Sequence, residues 1–320
     1  MRPISSLPMV LHVRTVALAL SILTVGAAAQ QPPRPVIGVA LGGGSAKGFA
    51  HAGVLQWFEE HRIPVDAIAG TSTGAAIGGA YAMGMSAAEI QTLLRTTDWE
   101  RVMRSDLLYS QKSFRRKEDD REFAIKLDAG LRRGFQIQSG MNPGHGVGLL
   151  LSRLALPYSS VDSFDDLPIR FRCVATDLET GEAVELDRGP LGPALRASMA
   201  LPGTFDTVRL RGRLLSDGGI LDSVPVDVAR GMGTEVVIAI AMDKLKPRKP
   251  SESIGGVANR AIDLMMRSLE RPRLERADVV IVPDLEGLGS ADYAKSTEFA
   301  IPNRASFPSM FPPGHIAPAI

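Results

Sequence analysis

Hydrophobic positions along the chain follow two alternating patterns. Residues 36–41 (Val-Ile-Gly-Val-Ala-Leu) form a short apolar run that stops at Gly42, Gly43 and Gly44. A strand buried on both faces reads this way. After Gly48, apolar residues recur at Phe49, Ala52, Val54, Leu55 and Phe58, which is helical spacing. The plan then repeats. Residues 65–69 predict a strand. Residues 75–82 predict a helix so rich in alanine and glycine that a neighbour must pack closely on it. Residues 86–96 predict another helix, with Ser86 as N-cap and Glu89 closing a capping box. Strands alternating with helices predict an α/β fold with a mostly parallel sheet.

Farther along, the pattern loosens and then resumes. Residues 105–121 read as loop, and the charge run 115–121 as a solvated face. Residues 123–127 and 135–138 alternate like the strands of a hairpin. Residues 140–146 read as a mobile loop and 147–156 as a helix. A strand at 169–177 pairs with one at 183–186. A short helix at 193–199 ends at Leu201, Pro202 and Gly203. Residues 208–210 and 213–215 pair around Arg211-Gly212, and the second of these strands runs into Ser216-Asp217-Gly218-Gly219. A helix at 226–230 and a strongly apolar strand at 235–241 follow. A long helix at 253–271 should stop at Pro272, before a last strand at 277–282.

The ends of the chain differ from this plan. Arg2 and Arg14 precede the apolar stretch 16–25, and small residues close it at 26–29. This predicts a signal peptide over residues 1–29, cleaved near Ala29. The stretch falls short of the ~20 residues that a spanning helix needs. Residues 30–35 form a proline-rich linker, 36–300 the domain, and 301–320 a proline-rich tail expected to be disordered. The expected location is therefore periplasmic or secreted. A net charge of +1 gives no sign of a nucleic-acid partner. The single cysteine, Cys173, lies in an apolar run, so neither a disulfide framework nor a cysteine metal site can form within one chain.

Two motifs carry the chemistry. Residues 42–48 (Gly-Gly-Gly-Ser-Ala-Lys-Gly) form a glycine turn at a strand-to-helix junction, where backbone N–H groups can hold an oxyanion. Residues 70–74 (Gly-Thr-Ser-Thr-Gly) have the Gly-x-Ser-x-Gly pattern of a nucleophile elbow. Both follow strands, where ligands bind in open α/β sheets. A dinucleotide fingerprint fails because Lys47 and Ser45 fall on required glycines. A P-loop fails because Phe49 follows Gly48. The pair predicts acyl transfer through Ser72. The general base is open at this level. His51 and His61 lie in the helix after the glycine turn, where packing or surface roles compete with catalysis. His145 sits in a glycine-flanked loop and suits a triad. Asp217 precedes two glycines that would let it approach another loop.

With these motifs in order, the chain resembles the patatin-like phospholipases over residues 36–292. Gly42 to Gly48 look like the family's oxyanion loop, Gly70 to Gly74 like its elbow, and Asp217-Gly218-Gly219 like its aspartate motif. Residues 197–203 resemble a block that precedes the aspartate in bacterial members. The resemblance implies a three-layer α/β sandwich with a central mostly parallel sheet flanked by helices. It also implies a Ser72–Asp217 dyad without histidine, metal or cofactor. The oxyanion hole would be the amides of Gly43, Gly44 and Ser45, with Lys47 as the basic residue beside it. Thr73 would contribute through its backbone N–H. The implied substrate is a lipid or phospholipid, reached by transient contact with a membrane surface. The charge run and residues 141–144 look like the secreted bacterial branch, where a β-barrel often follows the lipase domain. The proline-rich tail departs from that pattern. The alternatives are a silent lipid-binding scaffold and an esterase or thioesterase that uses His145.

Overall fold

Each apolar run near the start becomes a strand at the centre of one sheet. The computed structural model describes residues 34–104, 140–242, 254–285, 287–290 and 292–299. The leader, the charge run at 115–121, the expected hairpin at 123–138 and the tail from 301 lie outside the described residues. In chain order the elements begin with β1 (Ile37–Leu41), a 3-10 turn (Ser45–Ala50) and α1 (His51–Glu60). Next come β2 (Ala67–Thr71), α2 (Thr73–Ala82), α3 (Ala87–Thr96) and α4 (Trp99–Arg104). The middle holds β3 (Gly140–Asn142), α5 (His145–Leu154), β4 (Arg170–Asp177), β5 (Glu182–Leu186) and α6 (Leu191–Ser198). Then follow β6 (Gly203–Phe205), β7 (Val208–Leu210), β8 (Arg213–Asp217) and α7 (Val226–Gly231). Last are β9 (Val236–Ile240), α8 (Ile254–Leu274), β10 (Val279–Ile281) and α9 (Ser296–Phe299).

The main sheet has the order β10-β9-β1-β2-β4-β8-β7, with β5 also paired to β4. From β10 to β4 the pairings are parallel, and β4 meets β5 and β8 antiparallel. Alternation of side chains along each strand feeds two cores. Val39, Leu41, Ile68, Phe171 and Ile238 point to one face, against residues of α1, α2, α3 and α6. Ala40, Ala67, Ala69, Val237 and Ala239 point to the other, against Val226 and Ala229 of α7. Helices thus cover both faces of a central mostly parallel sheet, the layered arrangement expected. Cys173 is fully buried in the first core, and burial pushes its thiol pKa up.

The small residues of α2 have a packing reason. A methyl group on Gly78 would come within 2.8 Å of Ile68 and Leu41, and one on Gly79 within 2.9 Å of Leu195. The helix lies closer to the sheet and to α6 than alanine would allow. The capping box at Ser86 forms in both directions, with Glu89 N–H donating to Ser86 Oγ and Ser86 N–H to Glu89 Oε2. Two expectations need correction. Residues 140–142 are a strand, β3, paired parallel with β6. Pro272 lies inside α8 rather than ending it. The last turn is held from outside, by an ion pair of 3.1 Å between Arg273 and the buried Asp222.

Candidate active site

Register brings the two candidate catalytic residues together. A strand has two edges, and β5 occupies one edge of β4 from Cys173 to Asp177. The other edge is shared end to end. β2 runs up it as far as Thr71 opposite Val174, and β8 comes down it from the other direction, ending with Asp217 opposite Ala175. The strand carrying Ser72 therefore stops one residue short of the strand carrying Asp217.

Ser72 leaves the sheet in a strained turn. Its φ is 55° and ψ −123°, a conformation that non-glycine residues rarely adopt. It directly precedes α2, so its hydroxyl stands at a helix N-terminus, where negative charge is favoured. The flanking glycine is required by space: a methyl on Gly74 would sit 2.3 Å from the Leu41 carbonyl oxygen. Gly70 is similarly crowded by Ala75, at 2.6 Å.

The glycine turn lies beside the elbow. The Cβ position of Gly43 is only 3.4 Å from Ser72 Cβ. Its peptide groups are not all available, however. Gly42 N–H donates to the Ile240 carbonyl and Gly43 N–H to the Ser223 carbonyl, each at 2.9 Å. Gly43 is therefore removed from the expected oxyanion donors, because its hydrogen is already held by the loop after β8. Among the described residues, the amides of Gly44 and Ser45 donate to nothing, and both residues are half-buried. Lys47 N–H closes the turn onto the Gly44 carbonyl. Thr73 Oγ1 donates to the Ser45 carbonyl at 2.9 Å, so its side chain ties the elbow to the glycine turn. Gly48 leaves room for that side chain, since a methyl there would meet Thr73 Cβ at 2.6 Å.

Asp217 is almost wholly buried, at 1% exposure. Its Oδ1 accepts the Gly219 N–H at 2.8 Å. The following glycine lies against the sheet, where a methyl on Gly218 would be 2.2 Å from the Val174 carbonyl oxygen. Burial raises the carboxyl pKa to about 6. The Ser72 hydroxyl, the Gly219 amide and the Arg196 charge each pull it back down. Oδ2 completes no hydrogen bond in distance and angle. The Ser72 hydroxyl thus acts on the carboxyl without completing a hydrogen bond to Oδ2, as catalytic pairs often do without substrate. His145 is exposed at the start of α5 and makes no hydrogen bond to Ser72 among the described residues.

One segment, residues 196–200, holds both sides of the site. Ser198 Oγ accepts the Ser72 backbone N–H at 2.9 Å and donates to the Val174 carbonyl at 2.6 Å. The Ala200 carbonyl accepts the Asp217 N–H at 2.9 Å and the Ser216 hydroxyl at 2.8 Å. Arg196, 7% exposed, donates to the carbonyls of Pro143, Gly144 and Asp206 and lies 5.1 Å from the Phe205 ring centre. Motif reading assigned no role to Ser198 or Arg196, although both fall in or beside the block that resembles the family. The aromatic group Phe49, Trp99 and Tyr293 backs the glycine turn, with centroids 4.6–6.4 Å apart. Burial raises the Tyr293 pKa to about 12, and the Ser45 side chain near it pulls it back down. No group of three or more His, Cys, Asp or Glu among the described residues could hold a metal ion.

Comparison with known proteins identifies the family of the chain. A family model described as patatin-like phospholipase matches residues 39–230, more than half of the chain. The chain is 31% identical to an uncharacterized NTE family protein of Mycobacterium tuberculosis, over 73% of this chain and 56% of that protein. It is 26% identical to the lysophospholipase NTE1 of Meyerozyma guilliermondii, over 67% of this chain and 13% of that protein. The chain thus spans about half the length of the first relative and a small part of the second. Among solved structures, VipD from Legionella pneumophila aligns with a TM-score of 0.47 and 15% identity, over 84% of this chain and 66% of that one. The chain belongs to the patatin-like phospholipase family.

Proposed function

From that membership we propose that the protein is a serine lipid acyl hydrolase, cleaving ester-linked fatty acids from phospholipids or related lipids. Ser72 is the nucleophile and Asp217 the general base. The observation that carries this reading is the buried carboxylate near a strained serine, beside a glycine turn whose Gly44 and Ser45 amides donate to nothing among the described residues. Asp217 takes the Ser72 proton as the hydroxyl oxygen attacks the acyl carbonyl. The amides of Gly44 and Ser45 hold the oxyanion. The proton passes to the leaving alkoxide, and an acyl-serine remains. Water, deprotonated by the same aspartate, then releases the fatty acid and restores the serine. The chain's own groups handle every proton and charge in the cycle.

Lipid contact is part of the proposal. Val257, Leu264, Met265 and Leu269 of α8 are exposed apolar residues, and such residues favour transient contact with a bilayer surface. No helix among the described residues is long and apolar enough to cross a membrane. The apolar leader supports export, with a mature protein beginning near Gln30. N-terminal sequencing of exported material tests this, and retained Met1 in membrane extracts would contradict it.

The decisive experiment pairs a short fluorogenic acyl ester with a phospholipid and adds a fluorophosphonate probe. The wild-type protein should hydrolyse both and be labelled at Ser72. Ser72→Ala should do neither. Labelling that persists in Ser72→Ala, or no turnover of either substrate by folded wild-type protein, would refute the reading.

A further inference from the structure

His51 is the one buried histidine among the described residues, and the proposed chemistry does not use it. It is the first residue of α1 and is completely buried. Its Nε2 lies 2.8 Å from the Gly42 carbonyl oxygen. A carbonyl can only accept, so Nε2 carries the hydrogen and donates. That fixes the tautomer: Nδ1 bears a lone pair, and it is buried without a partner. Burial also lowers the imidazole pKa to about 4, so the ring is neutral at physiological pH.

The position of this bond matters for the turn. The peptide joining Gly42 to Gly43 is held at both ends, its oxygen by His51 and its N–H by the Ser223 carbonyl. With that plane fixed, the next two peptides begin from a set direction. Their N–H groups, on Gly44 and Ser45, are the unpaired ones. A rotation of the 42–43 plane would carry Gly44 with it and re-aim both donors. Backbone alone does not prevent such a rotation, because three consecutive glycines are the most permissive sequence available.

We propose that His51 is a positioning residue for the oxyanion turn: its Nε2–H locks the Gly42–Gly43 peptide so that the Gly44 and Ser45 amides face the acyl carbonyl at Ser72. This rests on the proposed hydrolase reading. It assigns His51 no proton transfer to or from substrate, and so differs from a triad histidine. The requirement is a neutral side chain with a hydrogen-bond donor at the reach of Nε2. Glutamine meets it. Methionine has nearly the same length and flexibility but no donor.

The test compares wild type, His51→Gln and His51→Met, each shown folded by its thermal transition. His51→Met should lose about 10²-fold in kcat, the scale of one misplaced oxyanion donor, with KM within about twofold. The rate of fluorophosphonate labelling should fall in parallel, because phosphonylation builds the same charge. His51→Gln should recover kcat to within about tenfold of wild type. The rise of activity with pH, set by Asp217, should keep its midpoint in both variants. A folded His51→Met with near-normal kcat would overturn the proposal. So would a folded His51→Gln as inactive as His51→Met, or loss of the pH midpoint, which would make His51 the base. Nitrogen-15 NMR of the wild-type imidazole decides the case should His51→Met not fold. The Nε2–H tautomer should persist without titration from pH 8 to pH 5. An Nδ1–H tautomer or a titration near pH 6.5 would refute the lock. That measurement needs no turnover, so it is separable from failure of the hydrolase reading.

Discussion

Asp217→Asn should make the protein inactive and, at alkaline pH, more stable. The carboxyl pKa rises from 3.8 to about 6 on folding, chiefly through burial. A raised pKa means that the folded state holds the proton more tightly than the unfolded chain. The stabilising effect of that proton is complete below pH 4 and is lost as pH rises through 6. Above about pH 7 the folded protein carries a buried, incompletely paired carboxylate, at a cost of about 3 kcal/mol at 1.36 kcal/mol per pKa unit. Asparagine keeps the shape. Its oxygen can still accept the Gly219 N–H, and its amide can donate towards Ser72. Equilibrium urea unfolding of both proteins at pH 4.5 and pH 8 measures the difference. The advantage of the variant should widen by about 2 kcal/mol between the two pH values. Asp222, raised to about 6 by its own burial, titrates in both proteins and cancels. In wild type, hydrolysis should rise with pH through a midpoint near 6, because only the ionised carboxylate accepts the serine proton. In the variant it should fall by about 10²-fold or more. A stability difference that does not change with pH would refute the burial argument. Substantial activity in folded Asp217→Asn would refute the base.

Two further substitutions test the scaffold around the pair. Ser198→Ala removes the acceptor for the Ser72 N–H and the donor to Val174. It should lower stability by about 1–3 kcal/mol and kcat by about tenfold, a loss worth 1.4 kcal/mol; unchanged steady-state kinetics in a destabilised protein would reduce Ser198 to a packing role. Gly44→Val places a Cβ 2.6 Å from Met242 Cγ and 3.1 Å from the Gly48 nitrogen. The turn should shift and turnover fall by about 10²-fold or more, and near-normal activity in the folded variant would contradict the oxyanion assignment.

Much of the framework was legible because its signals are local. The run 36–41 and the glycines after it encode a strand, a turn and a helix start within a dozen residues, and the elbow does the same. The pairing of Ser72 with Asp217 has no such local signal. It depends on β2 and β8 sharing one edge of β4, which spacing along the chain does not encode. Nor does residue type tell which way an amide points. Gly43 reads as a donor, but the Ser223 carbonyl already holds its hydrogen. Ser198 sits in a short helix, where a serine reads as an ordinary polar residue, and only its burial shows that it grips the elbow. Pro272 predicts a helix end by a sound rule, and α8 stops two residues past it, at Leu274. Tyr293 lies where apolar periodicity has faded, so its contact with the glycine turn had no pattern to announce it.

The buried polar groups show how the fold concentrates strain at this site. Among the described residues, three buried side-chain atoms lack a partner, His51 Nδ1, Arg196 Nη1 and Asp217 Oδ2, and a fourth, Asp222 Oδ1, has the Arg273 ion pair but no hydrogen bond. All four belong to segments that meet around Ser72. His51 bonds the glycine turn. Arg196 begins the segment that holds the serine amide. Asp217 faces the serine hydroxyl, and the Asp222 carbonyl accepts the Thr71 hydroxyl one residue before it. Among the described residues, two of the four positive φ angles at non-glycine residues, those of Ser45 and Ser72, lie in the same place. Unpaired buried groups and strained backbone each cost of order 1–3 kcal/mol, so chance placement would scatter them. Their convergence means that the surrounding sheet and helices hold the site in a geometry that local energetics oppose. It follows that substitutions relieving this strain should trade activity for stability, and Asp217→Asn is the sharpest case because its cost is electrostatic and can be switched by pH.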